Sequence, residues 1–213
     1  MHEIVNYIVD LVSQFGYLGI FIMMFLESTF FPFPSEVAMI PAGYLAFKGE
    51  MNIVIAILVG TVGSLSGALF NYYLAKQYGR KGVLAFGKYF FFTEEKLQKM
   101  EEYFMKHGSF STFVSRLIPG IRQLISLPAG LSNMDFKKFT IYTTAGAGVW
   151  IVVLTLLGYY LGVLVEDIDT TKNYIPQLID ASKPYVHQIL YFTLTAIAIA
   201  TSIYIWNNKS KKI

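Results

Sequence analysis

The sequence has no cysteine, and that removes disulfides, thiolate nucleophiles, Cys-ligated metal sites and iron–sulfur clusters in one step. Charge is scarce. Asp, Glu, Lys and Arg together make up 15% of the chain, against about 25% in a soluble globular domain. Only three residues are arginine, and the net charge of +3 is too small to imply a nucleic-acid partner. No Lys or Arg precedes Lys48, so the basic n-region of a signal peptide is missing and the first apolar stretch is expected to stay in the mature protein. Gly79-Arg80-Lys81-Gly82 lacks the spacing and the Lys-Ser/Thr ending of a P-loop. His2, His107 and His187 are far apart in sequence, so neither a His-based metal site nor a catalytic triad is expected. No nucleophile–base pair stands out, and neither enzymatic chemistry nor a cofactor is expected. What the chain does have is apolar surface: 54% hydrophobic residues, 18 Phe, 15 Tyr and a mean hydropathy of +0.49. That composition is expected of an integral membrane protein.

Charge-free runs locate the hydrocarbon core. Residues 51–75, 139–165 and 187–206 are each long enough to cross it as helices, which takes about 20 residues. Two other apolar regions are interrupted. Residues 11–26 run into Glu27, Pro32, Pro34 and Glu36 before residues 37–47 resume. Residues 108–115 run into Arg116, Pro119, Gly120 and Arg122 before residues 123–134 resume. Each half is too short to span. Proline removes a backbone donor and breaks a helix, and broken backbone at membrane depth is tolerated only inside protein or beside a wet cavity. Both regions are therefore expected to be re-entrant helical hairpins, with Pro32, Pro34, Pro41 and Gly43 marking breaks in the first and Pro119, Pro128 and Gly130 in the second.

Orientation follows from the basic residues. Residues 76–106 hold seven Lys or Arg, Lys137 and Lys138 follow the second broken region, and Lys209, Lys211 and Lys212 end the chain. Residues 162–184 hold only Lys172 and Lys183 against Glu166, Asp167, Asp169 and Asp180. The positive-inside rule puts the first group, including the C-terminus, in the cytoplasm and residues 162–184 outside. Within the middle segment, Thr93 is an expected N-cap followed by Glu94 and Glu95, and Leu97, Met100 and Phe104 share one face. A surface helix connecting two halves is expected there.

The two broken regions resemble each other. At an offset of 87 residues, Ser28 meets Ser115, Pro32 meets Pro119, Pro41-Ala42-Gly43 meets Pro128-Ala129-Gly130, and Tyr72-Tyr73-Leu74 meets Tyr159-Tyr160-Leu161. With Val62/Val149 and Leu69/Leu156, ten of 47 positions are identical without a gap. The two units are expected to face opposite ways across the membrane, as in secondary transporters whose sites lie at the repeat interface. Gly60, Gly63, Ser64 and Gly67 give the first span small residues for close helix packing. The expected fold is an all-α polytopic membrane protein built on an inverted repeat of re-entrant hairpin plus transmembrane helix. Its single domain, 1–213, divides into a first repeat at about 14–75, a cytoplasmic connector at 76–107, a second repeat at about 108–165 and an extra C-terminal transmembrane helix at 187–206.

Glu27, Glu36, Arg116 and Arg122 carry the chemistry. One ionised residue at the bilayer centre costs about 2.5–3.5 kcal/mol, so four uncompensated charges would cost roughly 10–14 kcal/mol, comparable to the net stability of a whole protein. They must pair or sit in water. Glu27 and Glu36 fall within three residues of the positions equivalent to Arg116 and Arg122, so the repeat brings two carboxylates towards two guanidiniums. One reading is a set of ion pairs locking hairpin to hairpin. The other is a site that binds an anion at Arg116 and Arg122 and exchanges protons at Glu27 and Glu36.

Phe25-Leu26-Glu27-Ser28 through Phe33-Pro34-Ser35-Glu36, then Pro41-Ala42-Gly43, resembles the first signature of the DedA family of bacterial membrane proteins, relatives of the eukaryotic VTT-domain lipid scramblases. Phe113 through Arg122, then Pro128-Ala129-Gly130, resembles the second. The resemblance covers roughly residues 14–165. It implies two re-entrant hairpins with neighbouring spans, a functional acidic pair at Glu27 and Glu36, an arginine pair at Arg116 and Arg122, and lipid translocation across the cytoplasmic membrane. Members are associated with returning undecaprenyl phosphate to the cytoplasmic face, others with flipping phospholipids such as phosphatidylethanolamine, and dependence on the proton gradient is suggested. The expected partners are membrane lipids, with protons and self-association left open. A proton-coupled small-ion transporter and a non-transporting structural protein are the rival readings.

Overall fold

The structure, a computed structural model, describes residues 15–29, 34–87, 93–107, 109–118, 121–164, 182–186, 188, 191 and 195. Among them there is helix and no strand. In chain order the helices are α1 (Tyr17–Glu27), α2 (Glu36–Phe47), α3 (Ile53–Gly87), α4 (Glu94–His107), α5 (Phe110–Arg116), α6 (Ser126–Leu131) and α7 (Phe136–Leu164). The expected C-terminal span, and Pro32, Pro119 and Gly120, lie outside the described residues.

Only α3 and α7 are long and apolar enough to cross a bilayer among the described residues. At 1.5 Å per residue, α1 and α2 extend about 16–18 Å and α5 and α6 about 9–11 Å, well short of the roughly 30 Å hydrocarbon thickness. The first span is longer than its charge-free run. It continues past Lys76 to Gly87, but with non-helical backbone at Gly79, φ 64°. That left-handed conformation carries little penalty for glycine, and it re-aims the last turns. Arg80, just beyond it, then reaches Glu101 of α4 at 2.6 Å and Glu94 at 3.5 Å. As expected, α4 buries Leu97 and Phe104, which meet side chains of α3, α6 and α7 or of the turns beside α6.

The packing places α3 and α7 at the centre. Against α3 lie α1 and α6, against α7 lie α2 and α5, and α3 and α7 also touch each other. Glycine sets these interfaces. A Cβ on Gly63 would lie 2.6 Å from the Phe21 carbonyl oxygen, and one on Gly67 would run into the Phe25 carbonyl. Across the other pairs, Gly43 of α2 sits on the Thr155 carbonyl, Gly158 of α7 on the Ile40 carbonyl, and Gly130 of α6 on the Tyr72 carbonyl. Backbones this close draw their attraction from van der Waals contact, which apolar burial alone does not supply in lipid. Gly60 also packs closely, beside Met39 and Ile151.

These contacts correct one expectation. Pro41 and Gly43 lie inside α2, and Pro128 and Gly130 inside α6; they are not at breaks in the chain. The repeated Pro-Ala-Gly triplet is a packing element whose glycine seats a short helix on the opposite long one. Pro34, by contrast, lies outside helix, just ahead of α2.

The outer faces match the composition. Val54, Val62 and Tyr73 on α3 are about half-exposed, and so are Ile141, Val149 and Tyr160 on α7. Each pair is separated by 87 residues, so the same faces of the two long helices are left for lipid.

Candidate functional site

Glu27 is the last residue of α1. A carboxylate there faces the negative end of the helix dipole, and burial to 4% exposure removes the water that would stabilise it. Arg122 compensates. Its Nη2 lies 2.8 Å from Glu27 Oε1, although that contact is not aligned as a hydrogen bond. The aligned bond from Nη2, also 2.8 Å, goes to Ser35 Oγ. Trp150 of α7 donates its indole N–H to the same Ser35 oxygen at 3.2 Å, and its ring lies 5.5 Å from the Arg122 guanidinium carbon, within range of a cation–π interaction. On the other carboxylate oxygen, Ser28 donates at 3.1 Å and shares a 2.6 Å hydrogen bond with Ser64 of α3.

Arg116 ends α5, where a cation suits the helix dipole. It is 3% exposed. Its Nη2 donates to Ser126 Oγ at 2.8 Å, while its Nε is buried without a partner. Among the described residues Arg116 forms no ion pair. Glu36, the first residue of α2, is half-buried and likewise forms none. The expectation of two carboxylates meeting two guanidiniums is therefore met once, by Glu27 with Arg122. The turn before α2 brings Ser35 to Arg122, and the neighbouring carboxylate stays at the start of the helix.

Met24, Glu27, Ser64, Arg116, Arg122, Ala147, Trp150 and Ile151 line a cavity of about 10 Å³. That is about the space of a single water. Both guanidiniums and the Glu27 carboxylate border this cavity, so the described state is closed around an internally paired charge. A phosphate group does not fit without movement of the surrounding helices.

Sequence reasoning missed four uncharged participants: Ser35, Ser64, Asn71 and Trp150. Ser35 carried a signal, because it stands 87 residues before Arg122. Asn71 carried another, as a carboxamide inside a charge-free run whose other carboxamide, Asn52, stands at its edge. It is fully buried, and its Nδ2 faces the main-chain oxygens of Ser28 at 3.3 Å and Gln123 at 3.4 Å. Nothing marked Ser64 or Trp150 apart from other small or aromatic membrane residues.

Comparison with known proteins matches the VTT domain to residues 33–160. Among the similar proteins is the uncharacterized membrane protein YkoX of Bacillus subtilis, 35% identical over 163 residues, which are 76% of this chain and 70% of YkoX. The alkaline phosphatase-like protein of Lactococcus lactis subsp. lactis is 36% identical over 160 residues, 73% of this chain and 75% of that protein. Undecaprenyl phosphate transporter A of Bacillus subtilis is 30% identical over 169 residues, 79% of this chain and 83% of the transporter. No solved structure matches.

Proposed function

Because the chain belongs to the VTT-domain, or DedA, family of membrane proteins, we propose that it carries a phosphate-bearing lipid across the cytoplasmic membrane, and that the lipid is undecaprenyl phosphate. The observation that carries this reading is the buried pair Glu27–Arg122 beside Arg116, around a cavity too small for any headgroup. Internal ion pairs are a poor source of stability compared with apolar packing. This one keeps an arginine charged and available at membrane depth.

Charge counting favours a phosphate monoester. With Glu27 ionised, the two arginines and one carboxylate sum to a single positive charge. Protonation of Glu27 frees Arg122 and raises the sum to two, which matches a phosphate monoester dianion. A zwitterionic phosphodiester such as phosphatidylethanolamine would leave one arginine uncompensated. In the proposed cycle, Glu27 takes a proton, Arg122 and Arg116 receive the phosphate, and the isoprenoid tail remains in the bilayer. Glu36, half-buried one residue from Ser35, serves as a second protonatable group at the gate.

Alternating access rests on the inverted-repeat reading. The short helices α1, α2, α5 and α6 form two re-entrant hairpins, with α3 and α7 as oppositely directed spans and both the α4 segment and the C-terminus in the cytoplasm. The packing supports this: exchanging the two halves exchanges α1 on α3 with α5 on α7, and α2 on α7 with α6 on α3.

The test is a reconstituted-liposome assay. Labelled polyprenyl phosphate should flip in a protein-dependent way, faster across a proton gradient, while labelled phosphatidylethanolamine should not. Equal flipping of both would replace the monoester reading with a general scramblase. Release of inorganic phosphate from the polyprenyl phosphate would point instead to the hydrolase chemistry suggested by the name of the Lactococcus relative.

A further inference from the structure

Asn71 stands near the end of the charge-free run 51–75 and is fully buried, yet it takes part in neither the ion pair nor the cavity. Its amide nitrogen lies 3.3 Å from the carbonyl of Ser28 and 3.4 Å from that of Gln123. Ser28 directly follows Glu27, and Gln123 directly follows Arg122. One carboxamide on α3 therefore ties together the residues immediately after each member of the ion pair. With two carbonyls facing it, only the amide nitrogen, with its two hydrogens, can point that way. Among the described residues its Oδ1 is buried without a partner.

The local sequence produces this placement. Ser64, Gly67 and Asn71 follow the helical period along α3 and present one face to the end of α1. Ser64 shares a hydrogen bond with Ser28. A Cβ on Gly67 would run into the Phe25 carbonyl, so only glycine lets α1 come this near. Asn71 then meets the residue just beyond α1, and it also reaches across to the turn ahead of α6. Both bonds are longer than the usual N–H···O range. Weak bonds suit a contact that must be released, since a strong clamp would trap the closed state.

We propose that Asn71 is a positioning residue that latches the closed site: it holds the Glu27 and Arg122 ends of the chain together through their neighbouring carbonyls, and it lets go when the pair opens. The inference rests on the site described above only in requiring that the site open; it does not depend on which substrate enters.

The absence of native cysteine provides a direct test. In otherwise full-length protein in liposomes, Ala147→Cys places one thiol on the cavity wall. A charged methanethiosulfonate reagent is too large for the closed cavity, so labelling measures opening. Adding Asn71→Asp keeps the shape and, when ionised, removes both donors; Asn71→Leu removes the polar group altogether. Each should raise the labelling rate about tenfold, the size expected from losing two modest hydrogen bonds. Asn71→Gln, which keeps both donors on a longer stem, should fall between these variants and the parent. For Asn71→Asp, the ratio of its labelling rate to that of the parent at the same pH should fall towards one on acidification, as the carboxyl regains a proton to donate. Taking the ratio cancels the loss of thiolate and the protonation of Glu27, and a merely space-filling role would leave the ratio unchanged. Parent-like labelling in both Asn71→Asp and Asn71→Leu would overturn the latch. So would loss of folded protein in all three variants, which would make Asn71 a folding residue. Because the readout contains no lipid transport, a failed latch and a wrong substrate give different results.

Discussion

Arg122 hydrogen-bonds Ser35 at 2.8 Å, and the two residues are 87 apart in sequence, the same offset at which the two halves of the chain align. A residue can touch its own counterpart only where the axis relating the halves passes between them. Another pair of counterparts, Ser64 and Ile151, lines the adjacent cavity. In the inverted-repeat reading, the axis therefore runs through the cavity, where transporters of this architecture place their substrates. At this point the repeat is also broken: where one half has Ser35, the other has Arg122. That asymmetry lets one half supply the acceptor and the other the charge.

The ion pair gives the first prediction. Glu27→Gln alone leaves Arg122 buried beside a neutral group, and Arg122→Gln alone leaves Glu27 uncompensated. Removing one partner of a buried pair typically costs about 3–5 kcal/mol. Both single variants should show lowered thermal stability in detergent. The double variant Glu27→Gln with Arg122→Gln should recover most of that loss, since no charge is left unpaired, but it should not transport lipid. Recovery of transport in the double variant would reduce the pair to a structural lock.

The second prediction separates packing from hinging at the Pro-Ala-Gly triplets. Gly43→Ala pushes a methyl group into the Thr155 carbonyl, and Gly130→Ala does the same to the Tyr72 carbonyl. Overpacking of this kind costs about 1–3 kcal/mol or more. Both variants should lose stability and yield of folded protein. If either kept parental stability and lost only transport, the glycine would be acting as a hinge after all. Gly49→Ala makes a poor control despite the open space around it, because φ there is 78°.

How far the sequence could be read depended on the kind of signal. Charge-free length located α3 and α7, because a bilayer permits little else. Ionisable residues in apolar runs stood out for the same reason, which is why Glu27, Arg116 and Arg122 were recognisable as neighbours of a single site. The partner of each was not. Glu27 and Glu36 both lay within three residues of an arginine's counterpart, and that tolerance is nearly a full helical turn, enough to reverse which side chain faces the axis. The Pro-Ala-Gly triplets were misread because proline within a helix and proline at a break look alike in sequence. Tertiary contact decides between them, and here Gly43 and Gly130 pressed against neighbouring backbones show helix. Asn71 was not legible as a bridge, since both its partners are main-chain carbonyls whose positions depend on the fold.

Orientation is open to a third test. Single cysteines at Gln98 and Ser210 should react with an impermeant maleimide only from the cytoplasmic side, and one at Asn173 only from outside. Reaction of Gln98 and Asn173 from the same side would remove the inverted topology and with it the alternating-access proposal.

The last prediction concerns what Arg122 recognises. In the closed state its guanidinium meets Glu27, Ser35 and the Trp150 ring together. Lysine would keep the charge and reach Glu27, but it lacks the planar fork that meets two phosphate oxygens at once and that stacks on an aromatic face. Arg122→Lys should therefore fold with near-parental stability and flip polyprenyl phosphate far more slowly. Losing one partner of a buried ionic contact weakens binding by about 2–5 kcal/mol, or roughly 30-fold to several-thousand-fold; a retained charge should put this variant at the lower end. Trp150 provides the internal control. Trp150→Phe keeps a ring over Arg122 and loses the indole bond to Ser35, whereas Trp150→Leu loses both. A buried cation–π contact is worth about 2 kcal/mol, so Trp150→Leu should be slower than Trp150→Phe by roughly 30-fold at most. Flipping rates of all three variants should be measured at matched protein levels, together with their thermal stabilities. If Arg122→Lys transports like the parent, a point charge suffices and bidentate phosphate capture is wrong. If Trp150→Phe and Trp150→Leu transport alike, the ring does not hold the guanidinium in place, and Ser35 with Glu27 must orient it alone.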